Sequence, residues 1–548
     1  MPSLTCHHLA PRPLLNRLLA TSIVLSCMII GSVQAHARPH GPAIVRVHAG
    51  LLQGRNIGAG ATRLRVFQGI PYAAPPVGNL RWRPPQPVAA WTGVRKTTHF
   101  GPRCMQPPIF SDMVFRSDGM SEDCLYLNVW TPAKTSGARL PVLVYFYGGG
   151  FLAGDGSENR YDGASLARKG IVTVTVNYRL NVFGFLALPA LANESPQHAS
   201  GNYGLLDQQA ALRWVHANIA RFGGDPEQVT IGGESAGSIS VSAQMVAPAS
   251  RGLFARAIGE SGALIAPIAA VPLRQAEQEG KTFTRQVGAD SLGKLRAMPA
   301  RTLLAAVTAK DAPSFQPDID GLFLTEQPLS TYQDGRQAHV PLLVGSNSQE
   351  GFYPSLLKGA TPTPANYHEA LRKLFGDRAD RALELYPGHD EAQVKRSATA
   401  LMGDMFIAHS TWRWMDLQHR TGKAPVYYYY FSKARPAMRH PPPGHTPDPG
   451  AVHSGEIEYA LGNLSSNKVY AWTAHDYKVS RIMQGYFARF IKTGNPNGPG
   501  LPTWPRVHAA QGGLLRQEIG VPTRTEIDHG AARQHFLSRY YTTHPSHG

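Results

Sequence analysis

Between residues 44 and 67 apolar and polar side chains alternate, broken by Gly50, Gly54, Gly58 and Gly60. A period of two punctuated by glycine predicts small antiparallel strands joined by turns. A Pro-rich stretch follows, from Pro71 to Pro87, and then the pattern changes. Residues 125–129, 141–146 and 171–176 are short apolar or β-branched runs, too stiff and too brief for helices, and they predict strands. Residues 207–221 repeat instead at helical spacing, with Leu212, Val215 and Ile219 on one face. Another strand is expected at 228–232 and the end of a further one near 256–262. Strand, helix and strand in this succession is the signature of a parallel sheet with crossover helices. Beyond it, a Leu- and Ala-rich helical stretch reaches about Leu304, and residues 340–344 and 426–431 read as strands. The segment from about 360 to 420 is mostly helical and is where an inserted cap over the sheet could sit. Residues 435–449 form a Pro-rich loop, and 479–490 an amphipathic helix. No linker or internal repeat divides this pattern, so a single α/β domain is expected over residues 38–548.

The first 37 residues stand apart from it. Arg12 and Arg17 precede a mostly apolar run over residues 18–33, which ends in Ala35-His36-Ala37. This is the build of a secretory signal peptide, spanning residues 1–37, with cleavage after Ala37 or Ala35. Thr21, Ser22, Ser26 and Gly31 interrupt the run and keep it short of a membrane span, so no stable membrane anchor is expected. The mature chain would be periplasmic or extracellular.

Cleavage removes Cys6 and Cys27 and leaves Cys104 and Cys124. In an exported protein two remaining cysteines most simply pair, and the closed loop would constrain the unfolded chain by about 3 kcal/mol. Two free buried thiols are the alternative. Neither cysteine has metal-site spacing, so no metal is expected. A hydrophobic content of 43% with 17% charged residues excludes a largely disordered chain. The net charge of +17 raises nucleic acid as a partner. Its basic residues are scattered, however, with no block of like charge, so a solvated basic surface is expected and nucleic acid is not. Attraction of anionic substrates is the lesser alternative.

The candidate chemistry centres on Gly233-Glu234-Ser235-Ala236-Gly237, directly after the expected strand at 228–232. A serine in a tight strand-to-helix turn flanked by small residues is a nucleophile elbow, with its hydroxyl exposed above the sheet. Such a serine needs a base, an acid to orient the base, and N–H donors for an oxyanion. In α/β hydrolases the chain order is nucleophile, acid, histidine. Glu350 lies just beyond the strand at 340–344, on the sheet edge where the elbow projects. Asp318, Asp320 and Asp404 are its rivals, Asp320 as a turn residue beside Gly321 and Asp404 in a helical stretch. Among 22 histidines, His453 ends a long loop before an acidic helix start, and His409, His445 and His475 remain alternatives. Oxyanion donors are expected from Ala236, after the nucleophile, and from the glycines in Tyr147-Gly148-Gly149-Gly150-Phe151. Those glycines lack the ending of a phosphate-binding loop.

With these pieces in place the chain resembles the type-B carboxylesterases, the family that includes cholinesterases and bacterial para-nitrobenzyl esterases. The resemblance rests on FGGDPEQVTIGGESAG from Phe222 and EDCLYLN from Glu122. It is supported by FQGIPYAAPPVGNLRWRPP, VNYRLNVFGFL, NYGLLDQQAALRWV and HSGEIEYALGN, and covers roughly residues 42–540. It implies an α/β-hydrolase fold, with a mostly parallel sheet, helices on both faces and helical insertions over the site. It also implies ester hydrolysis of small molecules without a cofactor, and a disulfide between Cys104 and Cys124. Ser235, Glu350 and His453 fall in its nucleophile, acid and base positions, and Gly149, Gly150 and Ala236 in its oxyanion hole. Ser261 matches a serine that lies near the triad in relatives, so a supporting and not a catalytic role is expected. The family's acid follows Asp or a similar polar residue and precedes Gly, and Gln349-Glu350-Gly351 keeps that frame with Gln in the first place. Val114 stands where cholinesterases carry a choline-binding tryptophan, so a quaternary ammonium would lose its cation–π partner and choline esters are not the expected substrate. A non-catalytic binding protein of the same fold is the rival from another class. A lactonase, an amidase or a hydrolase of polycarboxylate esters are rivals within catalysis.

Overall fold

The computed structural model describes residues 43–510 and 513–544. The expected signal peptide at 1–37, with both cleavage points, lies outside the described residues. The alternating segment folds as expected into antiparallel strands, Ala43–Val47, Gly50–Ile57 and Leu64–Pro71. Tyr126–Thr131 extends this margin, paired antiparallel to both Leu64–Pro71 and Val172–Val176.

From Val172–Val176 onward the sheet is parallel. It runs through Leu140–Phe146, Gly224–Glu234, Arg256–Glu260, Leu342–Asn347, Val426–Phe431 and Gly513–Ile519. A mostly parallel centre with antiparallel margins is the α/β-hydrolase arrangement that the sequence leads one to expect. The central strands are buried along their length, which is why their sequences read as apolar runs and not as alternations. Helices Tyr203–Asn218 and Ala236–Val246 pack on Gly224–Glu234, and Ala474–Thr493 packs on Leu140–Phe146.

Two boundaries differ from the sequence reading for physical reasons. The helix expected at 479–490 begins earlier, because its first turn is polar and is set by a reciprocal cap. There the Asp476 N–H donates to Thr473 Oγ1 and the Thr473 N–H donates to the Asp476 carboxylate. The strand expected at 228–232 reaches Glu234, since parallel pairing with Arg256–Glu260 continues to that residue. The stretch from 360 to 420 is helical as expected, as Pro364–Phe375, Ala379–Leu385, Glu391–Gly403 and His409–Thr421, with a π-helical turn at Asp404–Ala408.

A contiguous core spans the sheet, and a smaller one, including Tyr367, Phe375, Leu401 and Phe536, fills the helical segment. Cys104 and Cys124 are joined, which sets aside the alternative of two free thiols. Among the described residues no helix is long and apolar enough to cross a membrane.

One buried ion pair ties the parallel sheet to its crossover helix. Arg179, just after Val172–Val176, donates to Asp207 through Nε and Nη2, both at 2.7 Å, and its backbone N–H adds a third bond at 3.1 Å. Both side chains are out of water. Removing one partner of such a pair leaves an uncompensated buried charge. Asp207→Asn is therefore expected to cost about 3–5 kcal/mol in equilibrium urea unfolding. A loss below about 1 kcal/mol, the range of exposed pairs, would show that this contact does not anchor the helix.

Candidate active site

Ser235 is placed by a sharp reversal between strand Gly224–Glu234 and helix Ala236–Val246, with φ 54° and ψ −121°. That conformation is costly for a residue with a side chain and persists only where packing over-determines it. The packing is visible at Gly237, where a Cβ would stand 2.1 Å from the carbonyl oxygen of Phe146. Only glycine lets the helix start this close to the neighbouring strand. The Ser235 N–H donates to the Glu260 carbonyl at 2.8 Å, fixing the turn to the next strand as well.

Three residues far apart in the chain meet above this turn. His453 Nε2 lies 2.9 Å from Ser235 Oγ, and His453 Nδ1 lies 2.7 Å from Glu350 Oε2. With Nδ1 protonated against the carboxylate, Nε2 is left to accept the serine proton. The other carboxylate oxygen of Glu350 accepts from Ser261 Oγ at 2.5 Å and from the Asn347 N–H at 2.7 Å. The loop that carries His453 is stitched to the one that carries Glu350. The Gln349 N–H donates to the Ala451 carbonyl at 2.8 Å, and the Gly450 N–H donates to Gln349 Oε1 at 3.0 Å. Gln349, in the place before the acid, thus pins the histidine loop.

The rival residues lie elsewhere. Asp320 accepts N–H bonds from Leu322, Phe323 and Leu324 and is a turn residue. Asp404 accepts from Tyr386 Oη and Gln534. Asp318 is buried against Gly201, and His409 pairs with Gln534.

Several buried carboxylates that the sequence reading did not single out surround the imidazole. Glu234 Oε1 is 3.3 Å from His453 Nε2, and Glu456 Oε2 accepts from Asn347 Nδ2 at 2.5 Å. Burial pushes Glu234 up to about 8 and Glu456 up to about 7, in the latter case with help from the Glu350 charge. Glu260, which accepts from Tyr145 Oη, is raised well above the usual range by burial and then by Glu456. Burial pulls His453 down, but the charges of Glu234 and Glu350 outweigh it and hold the imidazole up at about 9. The available signals were adjacency: Glu234 precedes Ser235, and Glu456 follows His453 within one turn.

Ser235 and His453 open into a cavity of about 370 Å³ walled mainly by Phe110, Met113, Phe151, Leu264, Phe315 and Phe406. That size is typical of a small-molecule site. Gly149 and Gly150 line it from the loop after Leu140–Phe146. At Gly149, φ is +110° and a Cβ would stand 2.2 Å from the Ala153 carbonyl, so the loop takes this path only with glycine. Ala236 opens its helix, where an N–H has no intrahelical acceptor. Phe406 packs edge-on against His453 with ring centroids 5.1 Å apart. The charged groups of the wall are neutralised: Arg160 pairs with Asp112 at 3.0 Å and with Glu158 at 2.7 Å. Val114 is exposed on the disulfide loop and does not line the cavity. Among the described residues no cluster of His, Cys, Asp and Glu could hold a metal ion.

Comparison with known proteins bears on the family of the chain. The profile of the Carboxylesterase family matches residues 41–532. Fumonisin B1 esterase of Sphingopyxis macrogoltabida is 37% identical over 460 residues, covering 81% of each chain. Para-nitrobenzyl esterase of Bacillus subtilis (strain 168) is 35% identical over 458 residues, 81% of this chain and 88% of its own. Human cocaine esterase is 34% identical over 526 residues, 90% of this chain and 91% of its own.

The electrostatics of the imidazole give a direct expectation. A histidine acts as a base only when neutral, so a pKa raised by neighbouring carboxylates moves the acid limb of the rate profile to the alkaline side of the ordinary 6.5. Glu234→Gln removes the carboxylate whose charge raises His453 most and should move that limb of kcat/KM to lower pH. An unmoved limb would show that Glu234 does not set the charge on His453.

Proposed function

We infer the mechanism from one premise: the chain belongs to the carboxylesterase family and hydrolyses carboxylic esters. Ser235 attacks the ester carbonyl while His453 Nε2 takes its proton. Glu350 holds Nδ1–H and stabilises the imidazolium that forms. The N–H groups of Gly149, Gly150 and Ala236 receive the oxyanion of the tetrahedral intermediate. His453 then protonates the departing alkoxide, and the alcohol leaves an acyl-enzyme. In the second half His453 deprotonates water, and the acyl carbon passes to it as the free acid while the proton returns to Ser235. No cofactor enters this sequence. The observation that carries the reading is the unbroken relay of Ser235, His453 and Glu350 at 2.9 and 2.7 Å. A binding protein of the same fold would have no need to hold it.

The chain is secreted through the leader at residues 1–37, and the Cys104–Cys124 disulfide fits an oxidising compartment. The substrate is a neutral ester with apolar acyl or alcohol groups, because the cavity wall is aromatic and aliphatic and Arg160 in it is already paired. Choline esters find no exposed tryptophan in that wall.

Two experiments test this. An organophosphonate should modify Ser235 alone, and Ser235→Ala should lower kcat on p-nitrophenyl butyrate by roughly 10⁴- to 10⁶-fold. An adduct elsewhere, or full activity in the variant, would sink the mechanism. In a matched panel, p-nitrophenyl butyrate should exceed the mono-p-nitrophenyl ester of succinate in kcat/KM by at least about tenfold, the cost of roughly 1.4 kcal/mol for an unpaired carboxylate in the pocket. The reverse order would point to hydrolysis of polycarboxylate esters.

A further inference from the structure

Asp112 is the first acidic residue of the chain, yet arginine and lysine recur throughout the segment before it. That segment builds the antiparallel margin of the sheet, where the short strand Val94–Lys96 also pairs parallel to Gly50–Ile57. Arg46, Arg55, Arg63, Arg65, Arg95 and Lys96 have no carboxylate within ion-pair distance among the described residues. Arg55, Arg65 and Arg95 instead meet Gln68 Oε1 at 3.2 Å, the Ala133 carbonyl at 3.0 Å and the face of Trp91 at 4.5 Å. The strand register sets these cations among apolar side chains. Arg46, Leu51 and Val94 form one row across three strands, and Ile44, Gln53 and Lys96 form the next, both on the face opposite the buried Val45 and Leu52. Ile44 is 44% exposed and Val94 47%. Basic groups interleaved with exposed aliphatic ones suit an anionic interface, where the charges meet headgroups and the aliphatic side chains reach the acyl boundary. A soluble polyanion would satisfy the charges and leave Ile44 and Val94 in water.

We propose that this sheet margin docks the protein on an anionic phospholipid surface, with Arg46, Arg95 and Lys96 at the headgroups and Ile44 and Val94 against the acyl boundary. The contact is peripheral and reversible, made by a few side chains on one sheet face and not by a membrane-spanning segment. Screening by salt weakens its electrostatic part and leaves its apolar part in place. Docking holds the active site where apolar esters partition, a consequence that rests on the ester reading above. The docking itself is independent of which residue is the nucleophile.

The test is co-sedimentation of the protein, as recovered after export, with vesicles of equal parts phosphatidylglycerol and phosphatidylcholine and with vesicles of phosphatidylcholine alone. Binding to the anionic vesicles should exceed binding to the neutral ones by at least about tenfold and should fall as salt is raised. Arg46→Gln, Arg95→Gln and Lys96→Gln, all at exposed positions, should each weaken it by about fivefold, the factor that one basic side chain contributes near such a surface. Ile44→Ser combined with Val94→Ser should weaken it by at least about tenfold while leaving the binding of dextran sulfate unchanged. All of these variants should keep kcat on p-nitrophenyl acetate. Equal binding to the neutral vesicles, or indifference to the three charge removals, would overturn the proposal. Indifference to the paired serine substitutions, with dextran sulfate bound as tightly as the vesicles, would overturn it by making the margin a site for soluble polyanions.

Discussion

The backbone at Ser235, held at φ 54° and ψ −121°, is the constraint from which the rest of the site follows. A turn this tight is unfavourable in isolation, and it survives because strand Gly224–Glu234 is locked on both sides by parallel neighbours and because glycine lets the next helix start against Phe146. The consequence is directional. The hydroxyl stands at the carboxyl edge of the sheet, and only groups delivered to that edge can reach it. Glu350 follows Leu342–Asn347 and comes to the same edge, and the glycines 148–150 follow Leu140–Phe146 and do likewise. His453 follows Val426–Phe431 only at the end of a long loop, and it is also the one whose loop needs separate stitching through Gln349, Ala451 and Gly450.

The buried glutamates around the single imidazole are pushed toward their neutral forms by burial and by one another. Burial alone would discharge His453, and burial alone would protonate Glu234, Glu260 and Glu456. The imidazole opposes this at Glu234 and Glu456 while neighbouring carboxylates reinforce it, so the cluster acts as a unit whose protons are shared. Ser261 and Asn347 complete it by satisfying the oxygen of Glu350 that does not face the histidine. Left bare, that oxygen would compete for the imidazole proton and let the carboxylate rotate.

How much of this was legible in the chain depends on the distance over which each signal acts. Ser235 was legible because strand, glycines and helix are contiguous, and Glu350 because it follows a strand by a few residues. His453 was weaker by spacing, since a long loop carries no periodicity, and it stood out only through the acidic helix start behind it. Glu234, Glu260 and Glu456 were not singled out as a group. Their roles depend on being buried beside one another, and burial of a glutamate is invisible in a sequence where glutamate is ordinarily exposed. Helix boundaries failed in the same way: periodicity located 479–490, but the polar cap at Thr473 and Asp476 sets the true start. Strand order across the margin, with Tyr126–Thr131 antiparallel on both sides, also needed the structure, because an apolar run reads alike in either pairing.

The charge of the chain and the chemistry of its cavity point in opposite directions, and the reason is local. A net charge of +17 acts over the whole surface, where it governs encounter and is damped by salt. Recognition happens against the wall, and there Arg160 is held between Asp112 on the disulfide loop and Glu158 beside it. That pairing consumes the positive charge before a substrate arrives. It also fastens the disulfide loop, which supplies Phe110 and Met113 to the wall, to the body of the protein. Arg116 adds a second fastening, donating to Asp162 at 2.7 Å and to the Ser157 carbonyl at 2.6 Å. The arginine in the wall is therefore better understood as a clasp on the loop than as a receptor for a carboxylate. An anion drawn by the surface would find its partner already taken.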